Sequence, residues 1–117
     1  MTLEVDHLVV AARSLDDGVA WCEATLGIMP GPGGKHRLMS THNRLLNIGS
    51  AMFPRAYFEI IAIDAQAPTP TRARWVGRGA LALPRGPRLV NVVARATALK
   101  EDASLAAFYL ISLAAGV

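Results

Sequence analysis

Apolar positions along this chain recur in two rhythms. From Leu3 to Ala12 nearly every residue is apolar, and the β-branched Val5, Val9 and Val10 predict a strand covered on both faces. Asp6 and His7 interrupt that run. The two-residue period puts His7 on one face with Leu3, Val5 and Val9, and Asp6 on the other. Ser14 then reads as a helix N-cap, with Asp16 and Asp17 in a first turn where the helix dipole favours negative charge. Leu15, Val19, Cys22 and Leu26 step along a single helical face, Gly27 is placed to end the helix, and Pro30 prevents its continuation. This spacing makes Cys22 a small core residue rather than a reactive thiol.

The glycine-rich run GIMPGPGG, residues 27–34, fails as a phosphate loop. Met29 stands where the first glycine of that motif belongs, and His36 follows Lys35 where Ser or Thr is required. It also follows a helix rather than a strand, which excludes the dinucleotide fingerprint. It reads as a connecting loop. Residues 35–40 predict a short strand, 42–49 a better one, and 56–64 a strong one interrupted only by Glu59. The predicted order is strand, helix, strand, strand, strand. Residues 65–87 carry prolines without sustained periodicity and read as a linker or lid loop. Strand-like composition returns at 88–96, and residues 97–116 read as a helix. Displaced by 84 positions, the first strand and helix repeat weakly: Val9 falls on Val93, Ala12 on Ala96, Leu15 on Leu99, Leu26 on Leu110, and His7 on Asn91.

A length of 117 residues with 52% hydrophobic and 18% charged positions suits one folded α+β domain. The single cysteine excludes a disulfide within the chain and a cysteine-based zinc site. Glu4 and Asp6 stand where a signal peptide would be basic and then apolar, so a cytoplasmic location is expected. The formal charge of +3 draws on arginines at 72, 74, 78, 85 and 88. These sit in a Pro/Gly-punctuated segment with one aromatic residue, Trp75, which favours a solvated loop over a nucleic-acid surface. The apolar tail, 103–117, is too short to span a bilayer as a helix.

Three separated segments, DHLVVAARSLDDGVAWCEATLG, THNRLLNIG and AYFEIIAID, resemble in order the first module of the glyoxalase-like domains of the vicinal oxygen chelate superfamily. The resemblance implies a βαβββ module followed by a shortened second module, strand plus helix, on a half-open curved sheet. It further implies that a histidine on the first strand and a glutamate on the last point into a cavity that classically holds a divalent metal. Those positions are His7 and Glu59. Imidazole and carboxylate would suit Zn, Ni, Mn or Fe, and such a metal lowers the cost of forming an enediolate or catecholate.

The pattern is incomplete. Asn91 stands where a second histidine would be expected, and no second glutamate matches Glu59 in the residues that follow. Two ligands fall short of the three a catalytic ion usually takes from protein. Either a second subunit completes the set or no metal is bound. His42 is a weaker third candidate, set against a turn or rim position, and His36 reads as an exposed loop residue. Asn43, Arg44, Asn47, Trp75 and Asn91 are candidate ligand-binding residues. An all-round apolar C-terminal helix would need cover from another subunit, which predicts a homodimer. Three functions stay open: a metal-free binder of a neutral or anionic small molecule, akin to the bleomycin-resistance group; a metal-dependent lyase, isomerase or dioxygenase using His7 and Glu59; and a module whose role is structural.

Overall fold

The computed structural model describes residues 2–69, 86–97 and 106–112. Strand β1 (Thr2–Ala11) leads into helix α1 (Leu15–Leu26), followed by β2 (Lys35–His36), β3 (Thr41–Asn47), β4 (Tyr57–Ile63), β5 (Arg88–Thr97) and β6 (Ala106–Ser112). The first five elements follow the order expected from the sequence. The strands form one open mixed sheet in the order β2-β3-β4-β1-β5-β6. β1 and β4 are parallel, and all other neighbours are antiparallel.

The two sides of the sheet bury different clusters. Val10, Leu46 and Ile60 pack with Cys22 of α1, flanked by Trp21, Ile48 and Phe58. Val9, Ala11, Ile61, Val90 and Val93 form a second cluster. Adjacent residues Val9 and Val10 therefore divide between the helix-bearing face and the opposite one, as strand alternation requires. The Ser14 hydroxyl accepts from the Asp17 amide at 3.1 Å, and Gly27, at φ 72°, closes the helix with its N–H on the Glu23 carbonyl. The buried face of α1 centres on Gly18 and Cys22, while Leu26, expected on that face, is largely exposed. A side chain at Gly18 would run into Ile60, so the helix lies very close to β4. The Cys22 thiol donates to the Ile28 carbonyl at 3.2 Å, and burial, followed by the neighbouring Glu23, pushes its pKa up. It is a core residue.

Two expectations are corrected. Residues 35–40 give only the two-residue β2, the rest forming the turn into β3. The predicted C-terminal helix is, at 106–112, strand β6, whose backbone pairs with β5 from Asn91↔Ser112 to Thr97↔Ala106. Periodicity cannot separate a short, uniformly apolar helix from a buried strand, and Phe108, Tyr109 and Ile111 favour the strand. The repeat thus ends with its strand, because Leu26 is helical and Leu110 is not. Trp75 and most of the arginine-rich segment lie outside the described residues. No helix among the described residues is long and apolar enough to cross a membrane.

Candidate functional site

The site lies on the sheet face opposite α1 and begins with an irregularity in β1. Val5 pairs with Ala94 and His7 with Val93, so Asp6 is an extra residue facing no partner of its own on β5. Such a bulge interrupts the side-chain alternation. Asp6 is therefore not turned away from His7, as the uninterrupted period predicted: its Oδ1 lies 2.7 Å from His7 Nδ1. A carboxylate can only accept here, so Nδ1–H donates. Nε2 faces Glu59 Oε1 at 3.7 Å, beyond direct hydrogen-bond reach.

His7 and Glu59 are brought together because β1 and β4 are parallel, with His7 opposite Tyr57 and Val9 opposite Glu59. Tyr57 stacks on the His7 ring, with centroids 4.5 Å apart and planes 9° from parallel. Its phenol is pushed up to about 12, first by burial and then by the negative charges of Asp6 and Glu59.

A second imidazole arrives from β2. The β2–β3 register pairs His36 with Thr41 and Lys35 with His42. Cross-strand partners share a face, so His36 joins Thr41 and Asn43 on the site side, whereas His42 goes with Lys35 to the other. The expected roles are thereby exchanged. His42 lies near the buried Asp64, whose carboxyl is held below its usual range by the Gln66 backbone N–H and, secondarily, by Lys35 and His42. His36 Nε2 stands 3.6 Å from Glu59 Oε2.

Asn43 connects these groups. The Gly34 amide donates to its Oδ1 at 2.8 Å, which fixes the orientation of the side-chain amide. Its Nδ2 consequently donates to Glu59 Oε2 at 2.5 Å and faces His36 Nε2 at 3.2 Å. With Nε2 receiving that donor, His36 Nδ1–H donates to Thr41 Oγ1 at 3.0 Å. The glycine run is what allows this. A Cβ on Gly33 would collide with the backbone carbonyl and side-chain oxygen of Asn43. The loop is secured to β3 by Gly31 N–H on the Leu45 carbonyl at 2.7 Å and by the Arg44 guanidinium, which donates to the Gly31 and Pro30 carbonyls at 2.8 and 2.9 Å. Arg44 thus clamps the loop instead of presenting its fork to a ligand.

A cavity of about 540 Å³ is lined by Gly31, Pro32, Leu45, Leu46, Asn47, Arg55 and Tyr57 among others, and Tyr57 is the member of the cluster that reaches it. Leu45 lies opposite Glu59 and Asn47 opposite Tyr57, on the face of the His7–Glu59 pair, whereas Leu46 belongs to the α1-side cluster. Asn47 also caps the Gly49 amide at 2.7 Å, and Arg55 is paired with Glu4 at 2.8 Å. Asn91 is farther off. It pairs with Val9, which pairs with Glu59, so one strand intervenes, at roughly 4.8 Å per strand step. Its amide is 1% exposed, and neither polar atom has a hydrogen-bond partner among the described residues.

The metal suggested by the sequence resemblance can be tested on these donors. Among the described residues Asn43 occupies Glu59 Oε2 and His36 Nε2, and Asp6 occupies His7 Nδ1, which leaves His7 Nε2 and Glu59 Oε1 as the facing pair. Among the described residues no three His, Cys, Asp or Glu side chains are arranged to hold a metal ion. The described donor set does not fit a resident divalent ion.

A helix on one face of an open mixed sheet, with a polar cluster and cavity on the other, defines an α+β domain built around a sheet-face site. A family model described as a glyoxalase-like domain matches residues 5–116, and the chain belongs to that family, consistent with the vicinal oxygen chelate superfamily. No curated protein and no solved structure gave a match.

Proposed function

We propose that the chain is a small-molecule binding protein on the glyoxalase-like fold, its ligand held in the cavity beside His7 and Glu59. The observation that carries this reading is the Asp6–His7–Glu59 arrangement: an imidazole held through Nδ1 faces a carboxylate 3.7 Å away, and Tyr57, stacked on that imidazole, also lines an open cavity. Pockets of a few hundred cubic ångströms with a few convergent polar groups are the usual form of a ligand site. Asn47 and Tyr57 line the cavity, and Asn43 fixes the carboxylate.

A second reading, a metal-dependent lyase, isomerase or dioxygenase, is favoured by the Asp6–His7 bond, since metal-binding imidazoles usually have the other nitrogen held in this way. It requires a homodimer in which another subunit supplies the remaining ligands. Metal analysis by elemental mass spectrometry, on wild type and on His7→Ala and Glu59→Ala purified without a histidine tag, separates the two. Under the binding reading, protein incubated with zinc, nickel, manganese or ferrous iron retains no stoichiometric metal. Stoichiometric metal lost in both variants would replace the first reading with the second.

A further inference from the structure

We infer that the cavity takes a carboxylate carried on an apolar or aromatic body, that Arg55 is the residue that recognises the carboxylate, and that Glu4 competes with the ligand for it. The inference rests on the binding function proposed above and names the chemical class of its ligand.

Arg55 is built into the cavity wall by the loop that joins β3 to β4. Ile48 N–H on the Ala56 carbonyl at 3.1 Å closes the base of that loop. Ser50 N–H on the Phe53 carbonyl and Phe53 N–H on the Ser50 hydroxyl, both at 3.0 Å, turn its tip. Asn47 Oδ1 holds the Gly49 N–H at 2.7 Å, and Gly49 lies so close to the Pro54 carbonyl that a Cβ there would collide with it. Ala56 N–H returns to the Phe53 carbonyl at 3.2 Å, so the backbone is fixed on either side of Arg55.

The wall has one sign of charge. Among the described residues that line the cavity Arg55 alone is charged, and Leu45, Pro32, Pro54 and Tyr57 supply apolar surface. Tyr57 adds no charge near neutral pH, because burial first and then Asp6 and Glu59 push its phenol up to about 12. Asn47, its oxygen turned to Gly49, has N–H groups to offer. The nearby acids are engaged within the cluster, Asp6 by His7 and Glu59 by Asn43, and neither lines the cavity. A cation, amide donors and apolar surface together complement an apolar carboxylate, and the net charge of +3 favours its approach. The Arg55 guanidinium is a fork of five N–H donors, of which Nη2 bonds Glu4 Oε1 at 2.8 Å. That ion pair is open to water, its side chains 56% and 25% exposed, so it holds Arg55 weakly and yields to a carboxylate seated in the cavity.

The test titrates 3-phenylpropionate, its neutral isostere 3-phenylpropionamide and the cation 3-phenylpropylamine at pH 6.5 by ¹⁵N-edited NMR. Backbone amides of Leu45, Asn47 and Tyr57 report on the cavity, and the Arg55 Nε–H reports on the guanidinium. The carboxylate is expected to bind about five-fold more tightly than either control, the scale of an exposed ion pair, and to move the Arg55 signal. Arg55→Gln should bring the carboxylate to within about two-fold of the amide while binding of the amide is little changed. Glu4→Gln, which frees Arg55, should tighten carboxylate binding by about two- to five-fold. A preference for the carboxylate that survives Arg55→Gln, or carboxylate binding that weakens in Glu4→Gln, overturns the inference. If the amide or the amine moves the cavity signals as strongly as the carboxylate, the inference fails and the cavity reading stands. If none of the probes moves them at millimolar concentration, both fail.

Discussion

Replacing Asn43 tests the network that holds Glu59. The side chain is 8% exposed and makes three contacts: the accepted Gly34 N–H at 2.8 Å, the donated bond to Glu59 at 2.5 Å, and the approach to His36 at 3.2 Å. A bond to a charged group contributes about 1.5–3 kcal/mol and a neutral one about 1 kcal/mol. Because water re-enters the space vacated in Asn43→Ala, the loss should be nearer about 3 kcal/mol than the full sum, lowering the melting temperature by roughly 10 °C for a domain of this size. Asn43→Asp is nearly isosteric and keeps the Gly34 bond, but it turns an acceptor toward Glu59. At pH 7 it should be at least as destabilising as the alanine variant. As pH falls toward 4 the introduced carboxyl gains a proton, regains a donor for Glu59, and the deficit relative to wild type should shrink, which it should not do for Asn43→Ala. Thermal melts followed by circular dichroism at pH 7, 5.5 and 4, with wild type as reference at each pH, read both effects. An Asn43→Asp protein that melts with wild type at pH 7 would refute the assigned orientation of the amide.

Gly33→Ala should destabilise by about 1–3 kcal/mol through overpacking against Asn43 and should weaken ligand binding with it, measured by thermal melt and titration; an unchanged melting temperature would mean that the loop can sit elsewhere. The Asp64 carboxyl is held below its usual range, so its contribution is present above the ordinary carboxylate pKa and is lost as pH falls through the lower folded value. Asp64→Asn should therefore be less stable than wild type at pH 6, with the difference closing in acid, as urea midpoints at several pH values will show. The Tyr57 phenol, raised from 10.0 to about 12, stabilises fully below pH 10 and progressively less as pH rises toward 12. Absorbance at 295 nm should reveal a late-ionising tyrosine that Tyr57→Phe removes, and its survival in that variant would assign it elsewhere.

The elements β1, α1, β3, β4 and β5 were legible because each has a clear period or composition, and the α1 caps could be read from Ser14 and Gly27 directly. His7 and Glu59 stood out as polar residues in apolar strands. Tyr57 was missed although it lies two residues before Glu59 and hence on its face, because an aromatic residue in a strand signals packing first. His36 was missed because its face depends on which residue of β3 it opposes, and a two-residue strand carries no period of its own. Asp6 was misplaced because a bulge leaves no mark in hydrophobic alternation. The strand nature of 106–112 was hidden by uniform apolarity, which looks alike in a buried strand and a buried helix.

The irregularity at Asp6 is not alone. A second break in the β1–β5 ladder falls between Val9 and Val10, and there the extra residue, Val90, belongs to β5. Paired residue numbers sum to 99 from Thr2↔Thr97 to Val5↔Ala94, to 100 from His7↔Val93 to Val9↔Asn91, and to 99 again at Val10↔Leu89 and Ala11↔Arg88. The second defect cancels the first. His7, Leu8 and Val9 therefore form a dislocated island in an otherwise continuous ladder, and the strands beyond carry no trace of it. Such an island lets the position of a binding group vary without rethreading the sheet: removing Asp6 and Val90 together would anneal the ladder into a regular antiparallel pair and erase the site while leaving its scaffold in phase.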